Sequence, residues 1–363
     1  MKASVVRPQE LDQRELDRWR EFQSANLSLQ TPFLSPEFAL AVDAVCERTR
    51  VVVVEDGPNV VGFMPIELRS RRVAAAIGRR INTRQGFVHL PGLAWCWTEL
   101  LRATGLDVLE LPDLIGDQRD GGHFLRTAAA PVIDTFGGWS SYLEGVGKRK
   151  SIKTILYKER KLRRDENDVT FHSCAATNWA DLDQLTQWKS RQYRRSGWPD
   201  LFARRDVVAL LHRLIEDSGA GLYCIGSSLS VGGRPIACDL SLATDTVFAG
   251  WFGAHDPSFA RSSPGAIRTL RTIEAAFDRG ARCIDLSRGD EKYKDTLKTD
   301  DRLLATGFVA RHSPRALAYQ ARHRSTSAAT SYVLTHPEVR SFVRESLKKV
   351  GETRELLAGR RTA

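Results

Sequence analysis

Residues 245–294 read DTVFAGWFGAHDPSFARSSPGAIRTLRTIEAAFDRGARCIDLSRGDEKYK. The stretch opens with an apolar run rich in residues that favour strands, and the Asp and Pro residues at its borders predict a buried strand. A Ser/Pro/Gly turn follows, and after it come a helical pattern, a second strand and a charged run. This order predicts an α/β unit in which a helix begins beside the end of a strand.

The helix is predicted to run from Pro264 to the residue before Gly280. Proline suits a first helical position and glycine suits the position after the last turn, while Ser262 and Ser263 can cap the helix start. The apolar positions recur every three or four residues, as in a helix that packs on a sheet; they are Ile267, Leu270, Ile273 and Phe277. The free amides of the first turn, the helix dipole and Arg261 together favour a phosphate anion. An ordinary capped helix without a ligand is the alternative.

Three stretches within residues 220–311 resemble a known family. They are GGRPIACDLSLATDT at 232–246, SSPGAIRTL at 262–270 and GARCIDLSRGDEKYK at 280–294. Together they resemble the acyl-CoA-binding core of the GNAT superfamily, specifically the CelD/BcsL-type acetyltransferases, which are related to the FemAB-like transferases. The superfamily's phosphate loop usually reads Q/R-x-x-G-x-G/A, and this chain keeps Arg261 and Ala266 but has Pro264 at the first glycine position.

The resemblance implies that an amine attacks the thioester of acetyl-CoA or of a longer acyl-CoA, with no metal. The residues that it implies for binding this co-substrate are Arg261, Ser262, Ser263, Gly265, Ala266 and Arg268. Tyr293 is implied as the general acid near the CoA sulfur. The general base stays open among Asp290, Glu291, Asp239 and His255, and capping of a helix is the alternative role for Asp290 and Glu291. The predicted substrate contacts are Lys294, Trp251 and Tyr193.

The fold is predicted to be α/β with mixed sheets, made of two GNAT-like halves followed by a helical tail. Residues 1–140 are predicted as an acceptor-side domain, residues 141–312 as the better-formed acyl-CoA-binding domain, and residues 313–363 as a basic helical tail. Hairpins are predicted at 49–68 and 222–242. Helices predicted at 179–195 and 206–217 complete the order α, α, β, β, β, α, β in the second half.

Composition excludes several classes of protein. The chain has 363 residues, of which 42% are apolar, enough for two cores. It has no apolar leader and no run of about 18 apolar residues, so the sequence predicts a cytoplasmic protein. The six cysteines lack the spacing of a zinc site or of a disulfide framework, and no metal is expected. The Gly-x-Ser-x-Gly motif is absent, which disfavours a hydrolase.

The net charge of +10 arises from the last two thirds of the chain. Residues 147–165 carry nine Lys or Arg in a helical pattern. Such a helix could bind anionic lipid headgroups at the inner membrane face, an acidic glycan, tRNA or the phosphates of CoA. A solvated helix that links two domains is the alternative. Trp188, Tyr193 and Trp198 lie among basic residues, as in sites for sugars or nucleotides, with packing in the core as the alternative.

Two classes of function remain open. The resemblance implies an N-acyltransferase, with an amino sugar of a polysaccharide or cell-envelope pathway as the acceptor and a lipid-like amine as the alternative acceptor. The second class is a FemAB-like transferase that uses aminoacyl-tRNA, or a binder of nucleic acid, and the isoelectric point of about 9.5 favours it. The residues leave the acyl length and the oligomeric state open.

Overall fold

The computed structural model describes residues 1–78, 81–174, 178–219, 221–288 and 292–321. The first half contributes β1 (Lys2–Val6), α1 (Gln13–Ser24), α2 (Pro36–Val45), β2 (Thr49–Asp56), β3 (Asn59–Ser70), β4 (Val73–Ala75), β5 (Val88–His89), α3 (Trp97–Thr104), β6 (Val108–Ile115) and β7 (His123–Asp134). The second half contributes α4 (Gly138–Gly147), α5 (Lys150–Asp165), β8 (Val169–Cys174), α6 (Trp179–Arg195), α7 (Arg205–Glu216), β9 (Tyr223–Val231), β10 (Arg234–Ala243), β11 (Val247–His255), α8 (Pro264–Asp278), β12 (Cys283–Asp285), α9 (Lys292–Leu297) and β13 (Asp300–Ala310).

The strands of the described ranges pair into one mixed sheet, which confirms the predicted fold class. Its order is β1-β2-β3-β4-β6-β13-β7-β12-β11-β10-β9-β8, with β5 paired to β3. The two halves exchange strands at the centre, because β7 pairs with β12 while β13 lies between β6 and β7. The domain boundaries at residues 140 and 312 stay a prediction.

The two halves repeat the same order of elements. Apart from the additional two-residue strand β5 in the first half, each runs strand, two helices, three strands, helix, strand, from β1 to β6 and from β8 to β12. In the first half β4 lies parallel to β6, and in the second half β11 lies parallel to β12. Each pairing is three residues long. The predicted order α, α, β, β, β, α, β in the second half is therefore confirmed.

Helices cover both faces of the sheet. On one face α6 and α7 share a core with α1 and α2, and this core contains Leu182 and Leu240. On the other face α5 and α8 bury Ile152 and Ile267 against the same strands. Successive side chains of a strand point to opposite faces, so Leu240 contacts the α6 layer while its neighbour Asp239 meets α8.

Most of the predicted elements of the second half are confirmed, and so is the hairpin formed by β2 and β3. The basic run forms α5, and residues 314–321 of the predicted tail are helical. The rest of the tail lies outside the described residues. No helix in the described part of the chain combines the length and the apolar character needed to cross a membrane.

Candidate functional site

β11 and β12 separate after three paired residues. The last pair in their parallel register is Ala249 with Asp285. A bulge at Trp251 interrupts the pairing of β11 with β10, and a bulge bends the strand that contains it. β11 then continues to His255, whereas β12 has already ended. A gap therefore opens between the two strands beyond Ala249 and Asp285, and we call it the strand gap.

A hydrogen-bonded network holds the closed end of the strand gap. Ser287 donates its backbone N–H to Asp285 Oδ1 at 2.8 Å and its hydroxyl to the carbonyl of Gly250 at 2.5 Å. Its φ of 59° lies in the left-handed region, which is uncommon for a residue other than glycine. Asp285 Oδ1 also accepts from Arg84 Nη2 at 2.5 Å. The first half of the chain thus contacts the place where the strands separate.

Other contacts from the first half lie beside this network. The indole N–H of Trp251 donates to the carbonyl of Ile81 at 2.7 Å, and its ring meets Phe33 edge-on at 5.7 Å. Arg288, which follows Ser287, forms an ion pair with Asp113. Burial raises the pKa of the Asp113 carboxyl above its usual range, although the nearby arginines oppose the shift. Residues of both halves therefore form the walls around Trp251 and Ser287.

The predicted phosphate loop, residues 261–266, lies at the far end of β11. A Cβ on Gly265 would lie 3.2 Å from His255 Nδ1, so the loop passes directly over the end of the strand. Ser263 has a φ of 54° and precedes α8, but its side chain makes no capping bond. Its hydroxyl instead accepts from Lys158 Nζ at 2.6 Å. Ser263 is therefore the N-cap residue, one of the two predicted, but its hydroxyl binds a lysine of α5 instead of a helix amide.

The members of this loop differ in exposure. Arg261 is exposed, whereas the four other predicted contacts of the loop are half-buried: Ser262, Ser263, Gly265 and Ala266. Burial lowers the pKa of His255, and the nearby charge of Arg268 lowers it further. His255, which contacts Gly265 of the phosphate loop, therefore favours the neutral form of its ring.

Arg268 and Asp239 form a buried ion pair between α8 and the sheet. The distance from Arg268 Nη1 to Asp239 Oδ2 is 2.6 Å, and the two side chains are 8% and 7% exposed. A Cβ on Gly253 would lie 2.9 Å from the guanidinium, so this glycine leaves room for the arginine on β11. The guanidinium of Arg268 and the carboxylate of Asp239 are thus already bound to each other. Co-substrate binding by Arg268 and proton transfer by Asp239 stay predictions.

The charged run after β12 is only partly described. Asp290 and Glu291 lie outside the described residues. Tyr293 lies on α9 and is 36% exposed. Lys294 is buried and donates to the carbonyls of Ser287 and Arg288 at 3.4 and 3.3 Å. It therefore binds the backbone at the closed end of the strand gap.

Tyr193 lies on α6, on a different element from the strand gap. It is half-buried, and its ring packs against Phe202 with a centroid distance of 6.2 Å. Nearby Trp188 is buried, whereas Trp198 is 63% exposed. Packing thus accounts for Trp188, and a substrate contact at Tyr193 stays a prediction.

Several residues of the site were not predicted from the sequence. Lys158 belongs to the basic run, but the pattern of that run did not indicate that this lysine reaches Ser263. The others are Arg84, Asp113, Asp285 and Ser287. Asp285 and Ser287 lie within the stretch 280–294 that carries the resemblance, but neither was predicted as a site residue, and no motif marks Arg84 or Asp113. Arg84 and Asp285 are 201 positions apart in the sequence, and only the fold brings them together. Within the described residues, no group of three His, Cys, Asp or Glu side chains could hold a metal ion.

Comparison with known proteins agrees with this geometry. Residues 149–295 match the family model described as an acetyltransferase (GNAT) domain. No curated protein matches the chain in sequence.

Solved structures share the fold at low sequence identity. The crystal structure of FemX is 10% identical with a TM-score of 0.54, and the match covers 85% of this chain and 96% of that one. A C-terminal DUF2156 domain from Agrobacterium fabrum is 13% identical with a TM-score of 0.51, covering 85% and 94%. A tandem GNAT protein from the clavulanic acid biosynthesis pathway is 11% identical with a TM-score of 0.50, covering 85% and 98%. These likenesses show that the chain has the fold of two joined GNAT-like halves.

The family match covers the basic helix α5, the loop at 261–266, β11, β12 and most of α9. It therefore includes both sides of the strand gap. Residues 149–295 form a GNAT acetyltransferase domain, and the enzyme is an acyl-CoA-dependent N-acyltransferase of the GNAT type.

Proposed function

We propose that the strand gap binds the acyl-pantetheine arm of acetyl-CoA and that the enzyme transfers the acetyl group to the amine of an amino sugar. The observation that carries this proposal is the separation of β11 from β12 beyond Ala249 and Asp285. A strand edge without its ladder partner offers N–H and C=O groups to a ligand. The amides of a pantetheine arm match such an edge.

The diphosphate of CoA is assigned to residues 261–266. This loop leads into the N-terminus of α8, where the helix dipole and the amides of the first turn favour an anion. Arg261 and Lys158 add two cationic side chains to the same place. The arm would then run along β11 from this loop towards Gly250, which places the thioester near the closed end of the strand gap.

The reaction joins the acceptor nitrogen to the acyl carbon and breaks the bond between that carbon and sulfur. The amine loses a proton to a base, and the leaving thiolate gains a proton from Tyr293. We assign the base to Asp290 or Glu291, because Asp239 already binds Arg268 and His255 lies at the phosphate loop. Trp251 and Lys294 lie beside the closed end of the strand gap, where the acceptor amine would meet the thioester.

A transfer assay tests this function. The full-length protein is incubated with acetyl-CoA labelled in the acetyl group and with a panel of hexosamines, amino-lipids and amino acids. Label in an amine product, with one free CoA thiol formed per label, is the expected result. The proposal fails if no amine is acetylated and calorimetry detects no binding of CoA.

A lipid-like amine is the second candidate acceptor, and the surface of α5 favours it. Six basic side chains of this helix are exposed: Lys150, Lys153, Arg160, Lys161, Arg163 and Arg164. Such a face attracts an anionic membrane surface, and salt weakens the attraction. Co-sedimentation with anionic vesicles at low salt, but not with neutral ones, would support a lipid-like acceptor.

A protein that binds tRNA in a salt-sensitive way and does not bind CoA would instead belong to the nucleic-acid class.

A further inference from the structure

The first half contains a counterpart of the strand gap, and the chain itself fills it. β4 pairs with β6 from Val73 to Ala75, as β11 pairs with β12, and then ends. Gln85 takes the next place along the same edge of β6 through a parallel bridge to Leu114. Its N–H donates to the carbonyl of Asp113 at 3.0 Å, and its carbonyl accepts from Ile115 N at 2.9 Å. The chain itself thus pairs with the edge of β6, the counterpart of β12, beyond the point where β4 ends.

Side chains close the same space. A Cβ on Gly86 would lie 2.6 Å from Ile115 Cδ1, so a larger residue at this position would require the Ile115 side chain to shift. Phe87 follows and is almost fully buried. Its N–H and carbonyl both bind the side-chain amide of Gln118, at 2.8 Å each. Residues 85–87 thus fill the space beside β6 that opens where β4 ends.

Arg84, which directly precedes residues 85–87, contacts the second half of the chain. Arg84 and Asp285 are 4% and 3% exposed, so their ion pair is almost fully removed from water. Asp285 holds the amide of Ser287 with the same oxygen, and Ser287 holds the carbonyl of Gly250. A chain of three hydrogen bonds therefore runs from the first half to the point where β11 leaves β12.

We propose that the enzyme has a single acyl-CoA site built by both halves: residues 85–87 close the counterpart in the first half, and Arg84 is a positioning residue that sets the strand gap through Asp285 and Ser287. This inference rests on the proposed function. Arg84 neutralises a buried carboxylate, and the carboxylate in turn orients the loop after β12. Without the guanidinium, Asp285 loses its counterion and Ser287 loses a fixed acceptor.

The number of sites is tested by calorimetric titration of the full-length protein with CoA. We expect one CoA bound per chain. Two bound CoA molecules per chain would overturn the proposal that residues 85–87 close the counterpart of the strand gap in the first half. If no CoA binds at all, the proposed function fails as well, and the transfer assay identifies that case.

The role of Arg84 is tested with Arg84→Met and Arg84→Lys. In folded Arg84→Met, we expect kcat/KM for acetyl-CoA to fall about a hundredfold, as a misplaced reacting centre produces. The KM for the acceptor amine should change much less, and Arg84→Lys should recover part of the loss because it restores the charge. The matched control is Arg302→Met, since Arg302 also lies beside β12 but donates to the Cys283 thiol, at 3.4 Å, rather than to Asp285. The control should keep the activity of the unchanged protein.

Arg84→Met could unfold, because it leaves Asp285 buried without a counterion. The double variant Arg84→Met with Asp285→Leu removes both charges and keeps the core apolar. We expect it to unfold at a temperature close to that of the unchanged protein and to remain at least about tenfold slower, because Ser287 has lost its acceptor. Full activity in this double variant, or unchanged kcat and KM in folded Arg84→Met, would overturn the positioning role.

Discussion

At the scale of single residues, the ion pair of Arg268 and Asp239 has the clearest energetic consequence. Both side chains are more than nine-tenths buried, and Asp239 Oδ2 also accepts from the hydroxyl of Ser241. Removing one partner leaves a buried charge without a counterion, which costs about 3–5 kcal/mol. We expect Arg268→Met to lower the free energy of unfolding in urea by that amount.

The matched control replaces both members of the pair. Arg268→Met with Asp239→Leu removes the two charges together, and such replacements are often neutral. The double variant should therefore be more stable than Arg268→Met alone. If Arg268→Met lowers the free energy of unfolding by less than about 1 kcal/mol, the charge of Arg268 does not stabilise the buried Asp239 carboxylate.

Tyr293 gives a prediction about chemistry at the same scale. It is 36% exposed, so part of the residue is accessible to a bound ligand. Tyr293→Phe is expected to lower kcat about a hundredfold, the lower range for loss of a general acid, while the Kd for CoA stays unchanged. Stopped-flow turnover and calorimetry measure the two quantities. An unchanged kcat would remove Tyr293 from the mechanism.

His255 gives a prediction about pH. Burial, followed by the charge of Arg268, lowers its pKa below the ordinary 6.5. The folded protein therefore binds this proton less readily than the unfolded chain does. The resulting stability is present above pH 6.5 and is lost as the pH falls through the lowered pKa. We expect acidification to destabilise His255→Gln less than the unchanged protein in urea unfolding series. If acidification lowers the free energy of unfolding equally in His255→Gln and in the unchanged protein, His255 does not contribute to the pH dependence of stability.

At the scale of elements, the contact of α5 with the start of α8 matters most. Glu159 of α5 accepts two hydrogen bonds from Arg271 of α8, at 2.9 and 2.8 Å, and this bidentate pair anchors the two helices. One residue earlier, Lys158 reaches Ser263. The basic run thus supplies one cation to the phosphate loop, while its exposed side chains face solvent.

Lys158→Met should weaken the binding of CoA by roughly ten- to a hundredfold, since a hydrogen bond to a charged group contributes about 1.5–3 kcal/mol. Lys153→Met is the matched control, because Lys153 is an exposed lysine of the same helix. Calorimetry with CoA compares the two variants. Equal affinities would place the diphosphate away from Lys158.

Elements with strong local signals were predicted, and elements defined by distant partners were not. α8 has a proline start, a glycine after its end and an apolar stripe, and its observed range differs from the prediction by one residue. β7 and β13 were not predicted, because they pair with each other and with strands from opposite halves. The loop at 261–266 followed from the resemblance, whereas Arg84 could not be found without knowing which strand it meets.

At the scale of the whole molecule, the exchange of β7 and β13 joins the halves. β13 fills the space between β6 and β7, so residues 1–140 alone would expose an edge of β6 together with its apolar side chains. We expect residues 1–140 expressed alone to aggregate or to lack a cooperative unfolding transition. The full chain should unfold in one transition in calorimetry. A stable, cooperative fragment would show that the first half folds independently.

The proposed function requires acyl-CoA to lie in the strand gap with its diphosphate at residues 261–266. Hydrogen exchange of the full-length protein with and without CoA tests it most directly, since bound ligand slows exchange of the amides that it contacts. We expect protection at residues 250–255 and 261–268. Protection confined to residues 1–140, or none at saturating CoA, would contradict it.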